Sequence, residues 1–401
     1  MRTLRILHVV PYYEQAWAYG GIPRLATTIT RALARRGHAV TVCTTDVRDS
    51  RTRASRTSLN EAGVDVRIFP NASNAVAYHF QFFTPVGLRQ FLRKAAGSFD
   101  IAHLHACHNL PVVIAAWELT RAGVPYVVSP NGTAPAIERR IKTKRLFAMT
   151  IGRSLLPRAA RVTAVSRAEV VQLRALGVDA ASIVRIPNPI DEAEFVQALD
   201  PDRYRRQMHV GDAPLVLFLG KLTPRKGVDD LVRAAAVLRD PRIKVLIAGN
   251  DMGMERTLLS LIRRLGLLNR VSLVGLLTGR ARLDALAAAD VVVYPSRDEI
   301  FGLVPLEALL AGTPVVVCND SGCGEVITET GGGCLTRPGD ITGLAGAIER
   351  VLADVPAWRA RARDGAASAR RLFGAQVVCE QLESLYREIV DGQSAAERMR
   401  A

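Results

Sequence analysis

The stretch "PLVLFLGKLTPRKGVDDLVRAAAVL", Pro214 to Leu238, reads as a strand running through a glycine-containing loop into a helix. The same rhythm of apolar strand-like run and amphipathic helix repeats along the chain, which is the pattern of parallel sheets covered on both faces. Expected strands before it are 5–10, 39–44, 64–69, 100–105, 125–129, 161–166 and 182–187. Helices such as Pro23 to Arg36, Pro85 to Ala96 and Arg167 to Leu176 run between them. From 214 onward a second series follows: 214–220, 243–249, 271–275, 290–296, 313–318 and 332–336.

The rhythm breaks around "IPNPIDEAEFVQALDPDRYRR", where Pro187 and Pro189 precede a polar stretch, so this is the expected linker. A chain of 401 residues suits two large domains. The fold class expected is α/β: two Rossmann-like doubly wound domains, 1–190 and 191–374, with ligands bound in a cleft at the strand C-terminal edges. The final segment, 375–401, has no strand after its helix and is expected to cross back to the first domain.

Hydrophobic residues at 49% and charged residues at 23% describe an ordinary folded chain. The apolar run within the N-terminal "MRTLRILHVVPYY" is too short for a signal peptide and no long uncharged apolar stretch follows, so the expected location is cytoplasmic or peripheral. Cysteines 43, 107, 318, 323, 334 and 379 lack zinc or disulfide spacing and read as reduced core thiols. A net charge of +15 fits nucleic acid, an anionic membrane, a phosphate-bearing small molecule, or a genome that favours arginine on solvated helix faces. Aromatics at 5% and no nucleic-acid motif argue against nucleic acid.

Several motifs carry chemistry. In "FLGKLTPRKGVDDLV", Lys221, Arg225 and Lys226 stand in a loop before a helix N-terminus, an arrangement that suits a diphosphate or a merely solvated turn; it lacks the Walker spacing. "RDEIFGLVPLEALLAGTPVVV" places Glu299 in a loop and Glu307 inside an apolar helix, with Pro305 in its first turn and Gly312 past its end. A buried carboxylate there needs an internal arginine or ligand hydroxyls. The helical rise puts the two carboxylates roughly 10 Å apart, which leaves an inverting glycosidase in view. Gly20 and Gly21 allow close backbone approach to a ligand or form a flexible turn. His103 and His105 share one strand face, but no further ligand is spaced to complete a metal site; His105 reads as a polar contact to a sugar. "DSGCGEVI", 320–327, offers turn N–H groups to a hydroxyl or phosphate.

Together these residues resemble the retaining GT-B glycosyltransferases of family four, over nearly the whole chain. The N-terminal strand, glycine loop and helix from His8 to Val42, "VTAVSRAE", "IPNPID", "GKLTPRKGVDDLV" and the Glu, seven residues, Glu signature occur in family order. The resemblance implies that Glu307 bonds a nucleotide's ribose and that Lys221 and Lys226 hold the diphosphate. Glu299 with the backbone after Phe301, at Gly302 and Leu303, would bind the donor hexose; Gly20 and Gly21 would admit donor phosphates and acceptor in the first domain. Lys221, Lys226, Glu299 and His105 are then the expected catalytic set. Departures are Lys221 where arginine is usual, Asn131 in "SPNGT" where relatives often carry histidine, and Pro189 where glycine is usual, which should stiffen the hinge.

The implied reaction moves a hexose from a UDP- or GDP-linked sugar to an acceptor hydroxyl with retention, without metal or other cofactor. The acceptor would be a glycan, a lipid-linked sugar or a small molecule. The competing expectations are an epimerase or glycosidase on this scaffold, and a noncatalytic polyanion binder. Membrane contact at the inner face of the cell membrane, suiting polysaccharide or cell-envelope synthesis, would use the basic, apolar stretches 78–95 and 138–147, though these read more readily as a core-packed helix and a solvated loop.

Overall fold

The structure is a computed structural model. It describes every residue except 1, 15, 17, 18, 50, 55–58, 81, 136–146, 148, 149 and 399–401, and leaves aside the side chains of 59–61, 79, 80 and 394–398. Nearly all of the basic stretch 138–147 therefore lies outside the described residues. The chain divides into two compact units, Met1–Pro189 with Ala375–Ala401, and Ile190–Gly374.

Among the described residues of unit 1 there are eight strands: β1 Arg5–Val9, β2 Ala39–Thr45, β3 Leu59–Glu61, β4 Val64–Phe69, β5 Ile101–His105, β6 Tyr126–Ser129, β7 Arg161–Ala164 and β8 Ile183–Arg185. They lie in the order β3-β4-β2-β1-β5-β6-β7-β8. All neighbours are parallel except β3, which pairs antiparallel with β4 across the residues Ala62 and Gly63. Both of these have positive φ, as a two-residue hairpin turn requires. The sequence reading had no β3, because three residues are too short to show a period.

The helix Gly21–Arg35 buries Leu25, Ala26, Ile29, Ala32 and Leu33 on one stripe. Against that stripe pack Val378, Cys379, Leu382 and Tyr386 of the last helix, Ala375–Arg398, in one apolar cluster with Ile6 and Val40 of the sheet. Glu383 fastens the last helix to the end of Gly21–Arg35: Arg36 Nε donates to it at 2.7 Å, while Arg387 of its own helix steadies it at 2.7 Å.

Unit 2 has six strands, all parallel: β9 Leu215–Leu219, β10 Lys244–Ala248, β11 Val271–Gly275, β12 Val291–Tyr294, β13 Val315–Cys318 and β14 Gly333–Thr336. The order is β11-β10-β9-β12-β13-β14. Every residue of β9 is buried, as a central strand covered on both faces demands. Strand order reverses between β9 and β12, and the C-terminal ends of the two strands at such a reversal are the usual ligand position of such sheets. In unit 1 the equivalent reversal lies between β1 and β5.

The segment forming unit 2 also closes on itself. Ile190 N–H donates to Phe373 O at 2.8 Å, and Ile190 bridges Gly374, so its first and last residues are neighbours. All six cysteines are free and buried.

Candidate active site

In unit 2 the loop after β9 is pressed against the loop after β12. Gly227 has φ +63, and a Cβ there would stand 2.2 Å from Pro295 O, so only glycine permits the approach. Arg297 N–H donates to Arg225 O at 2.8 Å, and Arg225 in turn donates to Asp298 O at 3.1 Å. Arg297 also pairs with Asp230 at 2.6 Å.

This seam brings Lys226 onto Glu299. The Lys226 ammonium donates to the Glu299 carboxylate and to the Tyr294 hydroxyl, and lies 4.7 Å from the centre of the Tyr294 ring. The same carboxylate oxygen accepts from Ser296 Oγ at 3.0 Å and from Tyr294 at 3.1 Å. Burial alone would raise the Glu299 pKa. The charges of Lys226 and Arg225, with hydrogen bonds from Lys226 and Ser296, outweigh it and bring the group down to about 2. Glu299 is thus a fixed anion and has no proton to give at neutral pH. Lys221 is half-buried in the same loop.

The helix Leu303–Leu310 starts at Gly302, which has φ +81; a Cβ there would meet Cys323 Sγ at 2.6 Å. Pro305 falls in the helix's first turn and Gly312, past its end, has φ +79, as the sequence implied. Phe301 turns inward, edge-on to Phe373 with ring centres 5.3 Å apart, so it offers a ligand its backbone alone. Glu307, buried, receives a hydrogen bond from Arg282 of the helix Gly279–Ala288; Arg282 also donates to Glu194. Of the two partners that the sequence left open for Glu307, the structure supplies the arginine. The "DSGCGEVI" turn is less available than expected: Cys323 N–H donates to Glu299 O at 2.8 Å, and Ser321 Oγ to the same oxygen at 2.9 Å.

In unit 1, Gly20 has φ +95 and caps the helix Gly21–Arg35 with no side-chain acceptor, leaving that helix's first N–H groups to other partners. The histidine reading needs correcting. A third histidine, His8 on β1, stands opposite His103 in register, and ligand atoms of His8, His103 and His105 lie within 4.8 Å of one another. Spacing along β5 could not reveal it, since β1 is some hundred residues away in the chain. The three nevertheless read as a neutral hydrogen-bonded network. His8 Nδ1 and His105 Nε2 share a bond of 2.9 Å, while His103 bonds Tyr386 through Nδ1 and Ser129 Oγ at 2.6 Å through Nε2. Burial, then neighbouring imidazoles, push His8 and His103 well below the ordinary histidine range; burial takes His105 to about 3.

His105 lines a pocket at the C-terminal ends of β5 to β8 with Asn131, Thr163 and Asn188. His105 Nδ1 and Asn131 Oδ1 are both buried without a hydrogen-bond partner. Backbone strain gathers at this edge: Ala106, His108 and Asn131 all have φ between +52 and +67. The sequence reading missed His8, Tyr294, Ser296 and Arg282. The last three were visible as polar residues at the end of an apolar strand or within an apolar helix.

Comparison with known proteins agrees with this architecture. Residues 19–194 match the family described as Glycosyltransferase Family 4, and residues 202–368 that described as Glycosyl transferases group 1. A D-inositol 3-phosphate glycosyltransferase of Kineococcus radiotolerans is 31% identical over 420 residues, covering 94% of this chain and 92% of that protein. A glycogen synthase of Mycobacterium tuberculosis is 38% identical over 189 residues, covering 47% and 44%. Among solved structures, Anabaena Alr3699/HepE in complex with UDP and glucose aligns with TM-score 0.75 at 23% identity, covering 95% of this chain and 99% of that one. Sucrose-phosphate synthase from Thermosynechococcus elongatus aligns with TM-score 0.76 at 22% identity, covering 96% and 99%. The fold is GT-B, with two parallel-sheet Rossmann-like domains. The chain belongs to the family-four glycosyltransferases and is a glycosyltransferase.

Proposed function

We propose that the protein moves a hexose from a UDP- or GDP-linked sugar to an acceptor hydroxyl of a glycan, a lipid-linked sugar or a small molecule, with retention at the anomeric carbon. The observation that carries this reading is the Lys226–Glu299 site at the strand-order reversal of unit 2, in a chain whose structural relative HepE was solved with UDP and glucose. In this reading Lys221 and Lys226 stabilise the charge that grows on the leaving diphosphate, so that no divalent ion is required. Glu299 and the backbone at Gly302 and Leu303 hold the hexose, and Glu307, steadied by Arg282, accepts from the ribose hydroxyls. Gly20 and Gly21 present the helix N–H groups of unit 1 to phosphate, and His105 with Asn131 meets sugar hydroxyls.

The carbon–oxygen bond to the diphosphate breaks as the acceptor oxygen bonds the anomeric carbon on the same face, and the acceptor's proton leaves with the diphosphate. In a glycosidase Glu299 would be unsuited to the general-acid part: that part needs a raised pKa, and this carboxylate has a lowered one.

A thermal-shift screen against UDP, GDP, ADP and their sugars tests the reading. Binding at a hundredfold excess over Kd stabilises by about 2.7 kcal/mol, so a clear rise in Tm with one nucleotide is expected. No rise with any of them, and no release of nucleotide from their sugars, overturns it. No helix among the described residues is long and apolar enough to cross a membrane. We place membrane contact, at the cytoplasmic face, in the region of Phe82, Val86 and Arg89, which the chain leaves exposed. Co-sedimentation that ignores the anionic lipid content of vesicles removes that part.

A further inference from the structure

Glu169 is a buried carboxylate that none of the chemistry above uses. It lies in the first turn of the helix Arg167–Ala175, is fully inaccessible, and has no cationic partner among the described residues. Ser166 caps this helix, its Oγ accepting Glu169 N–H at 3.2 Å. In the usual reciprocal cap the acidic residue would answer by taking the N–H of the cap residue itself. Glu169 does otherwise. One oxygen accepts from Val165 N–H, one residue earlier, at 2.8 Å, and the other reaches out of the helix to Gly132 N–H at 2.6 Å.

Gly132 belongs to the loop after β6 and follows Asn131, whose φ of +52 places it in the left-handed region. Asn131 Nδ2 makes a long bond to Ser129 O at 3.3 Å, and its Oδ1 is the buried, unpartnered oxygen of the pocket shared with His105. The same loop is tied to the turn after β5: Cys107 N–H donates to Thr133 Oγ1 at 2.7 Å, and His108 Nε2 meets Ala134 O at 2.9 Å. Those ties hold residues beyond Gly132. Among the bonds to other segments, the amide directly after Asn131 is held by Glu169.

We infer that Glu169 is a positioning residue for sugar transfer: its carboxylate clamps the Gly132 amide and so keeps the strained Asn131 carboxamide presented to a substrate hydroxyl. The inference rests on the reading of the unit 1 pocket as a place for sugar hydroxyls. Both carboxylate oxygens accept an N–H, so protonation turns one acceptor into a hydroxyl and weakens one arm of the clamp. Burial raises the Glu169 pKa to about 7, the bonds from Val165 and Gly132 only partly opposing it. The titratable group in electrostatic contact with it among the described residues is the Cys107 thiol, which burial pushes to about 12 and so keeps neutral. The clamp is therefore charged above about pH 7 and relaxes below it.

The test is release of UDP from UDP-glucose, or of GDP from GDP-mannose if thermal shift selects GDP, followed from pH 5.5 to 8.5 in the unmodified protein and in Glu169→Gln and Glu169→Asp. Expected is a fall in kcat of the unmodified protein below about pH 7 that levels off roughly tenfold down, where protonated Glu169 matches the neutral Glu169→Gln side chain. Glu169→Gln should lower kcat about tenfold at pH 8 with donor KM within about twofold, and flatten the profile; Glu169→Asp should restore the pH dependence. Hydrogen exchange across residues 130–134 should be faster in Glu169→Gln. If that variant is as active as the unmodified protein, with the same profile and exchange, the inference is overturned. If the unmodified protein releases nucleotide from no donor at any pH, the transfer reading fails instead. Exchange then judges the clamp alone: faster exchange in the variant retains it, and equal exchange removes it.

Discussion

Lys226 and Glu299 are seventy-three positions apart in the chain, yet the ammonium of the first is hydrogen-bonded to the carboxylate of the second beneath the ring of Tyr294. Both side chains are largely buried, at 11% and 16% exposure, so neither charge can turn to water if the other is removed. Lys226→Ala should therefore do two things: cut transfer about 10²-fold, as loss of a donor to a leaving group does, and destabilise unit 2 by about 3 kcal/mol through the orphaned carboxylate. Adding Glu299→Gln should recover much of the stability and none of the turnover. Lys221→Ala, in the half-buried part of the loop, should lower transfer with little loss of Tm. Unchanged turnover in both lysine variants would remove them from the mechanism.

Glu307 and Arg282 allow a sharper separation of binding from structure. Glu307→Gln keeps the shape of the side chain but replaces one of the two carboxylates that Arg282 pairs with, the other being Glu194, so some stability is lost. If Glu307 also accepts ribose hydroxyls, titration calorimetry should show nucleotide affinity falling about tenfold or more, an effect of charge-assisted hydrogen bonds. Normal affinity would reduce Glu307 to an internal ion-pair member.

Acid should destabilise unit 1 through the buried cluster His8, His103 and His105. Their folded pKa values lie below the unfolded 6.5, so the unfolded chain binds protons first and stability is lost as pH falls below about 6.5, down to about 3 for His105. Each contributes up to about 1.4 kcal/mol per pH unit. Glu169, with a raised pKa, acts in the opposite sense between about 7 and 4.5 and offsets one of the three. Urea midpoints measured between pH 7.5 and 5 should fall with acid, and His103→Gln should reduce the slope; a slope unchanged by that variant refutes the account.

Glu383 governs the attachment of the last helix. Burial opposes its charge, but hydrogen bonds from Arg387 and Arg36 bring its pKa to about 2. Its stabilisation is present above the unfolded carboxylate value of about 4.5 and is lost as pH falls toward 2. Glu383→Gln should cost about 2 kcal/mol at neutral pH and expose the helix Ala375–Arg398 to limited proteolysis.

Strands were legible wherever a run such as "LVLFL" is buried on both faces, because burial demands apolar residues without interruption. The Lys226 loop and Glu299 were legible too, since Gly227 and Gly302 mark places where a backbone must come close. What the chain could not display is pairing across sequence distance. Arg282 for Glu307, His8 for His105 and Gly132 for Glu169 are each set by which strands become neighbours, and no local period records that. The short strand Leu59–Glu61 escaped for the opposite reason: its partner is adjacent, but three residues carry no pattern.

The hydrogen bond from Ile190 to Phe373 has a practical consequence. Residues 190–374 behave as a cassette with its two ends side by side, the arrangement that lets a domain be excised, circularly permuted or exchanged without stretching its own backbone. Produced alone, that cassette would carry Lys221, Lys226, Glu299 and Glu307 together, and nucleotide affinity could be measured on it free of every contribution from unit 1. Grafting the equivalent segment of a relative between Pro189 and Ala375 would test whether donor preference, as proposed, travels with the segment, since the pocket of Asn131 and His105 stays in place.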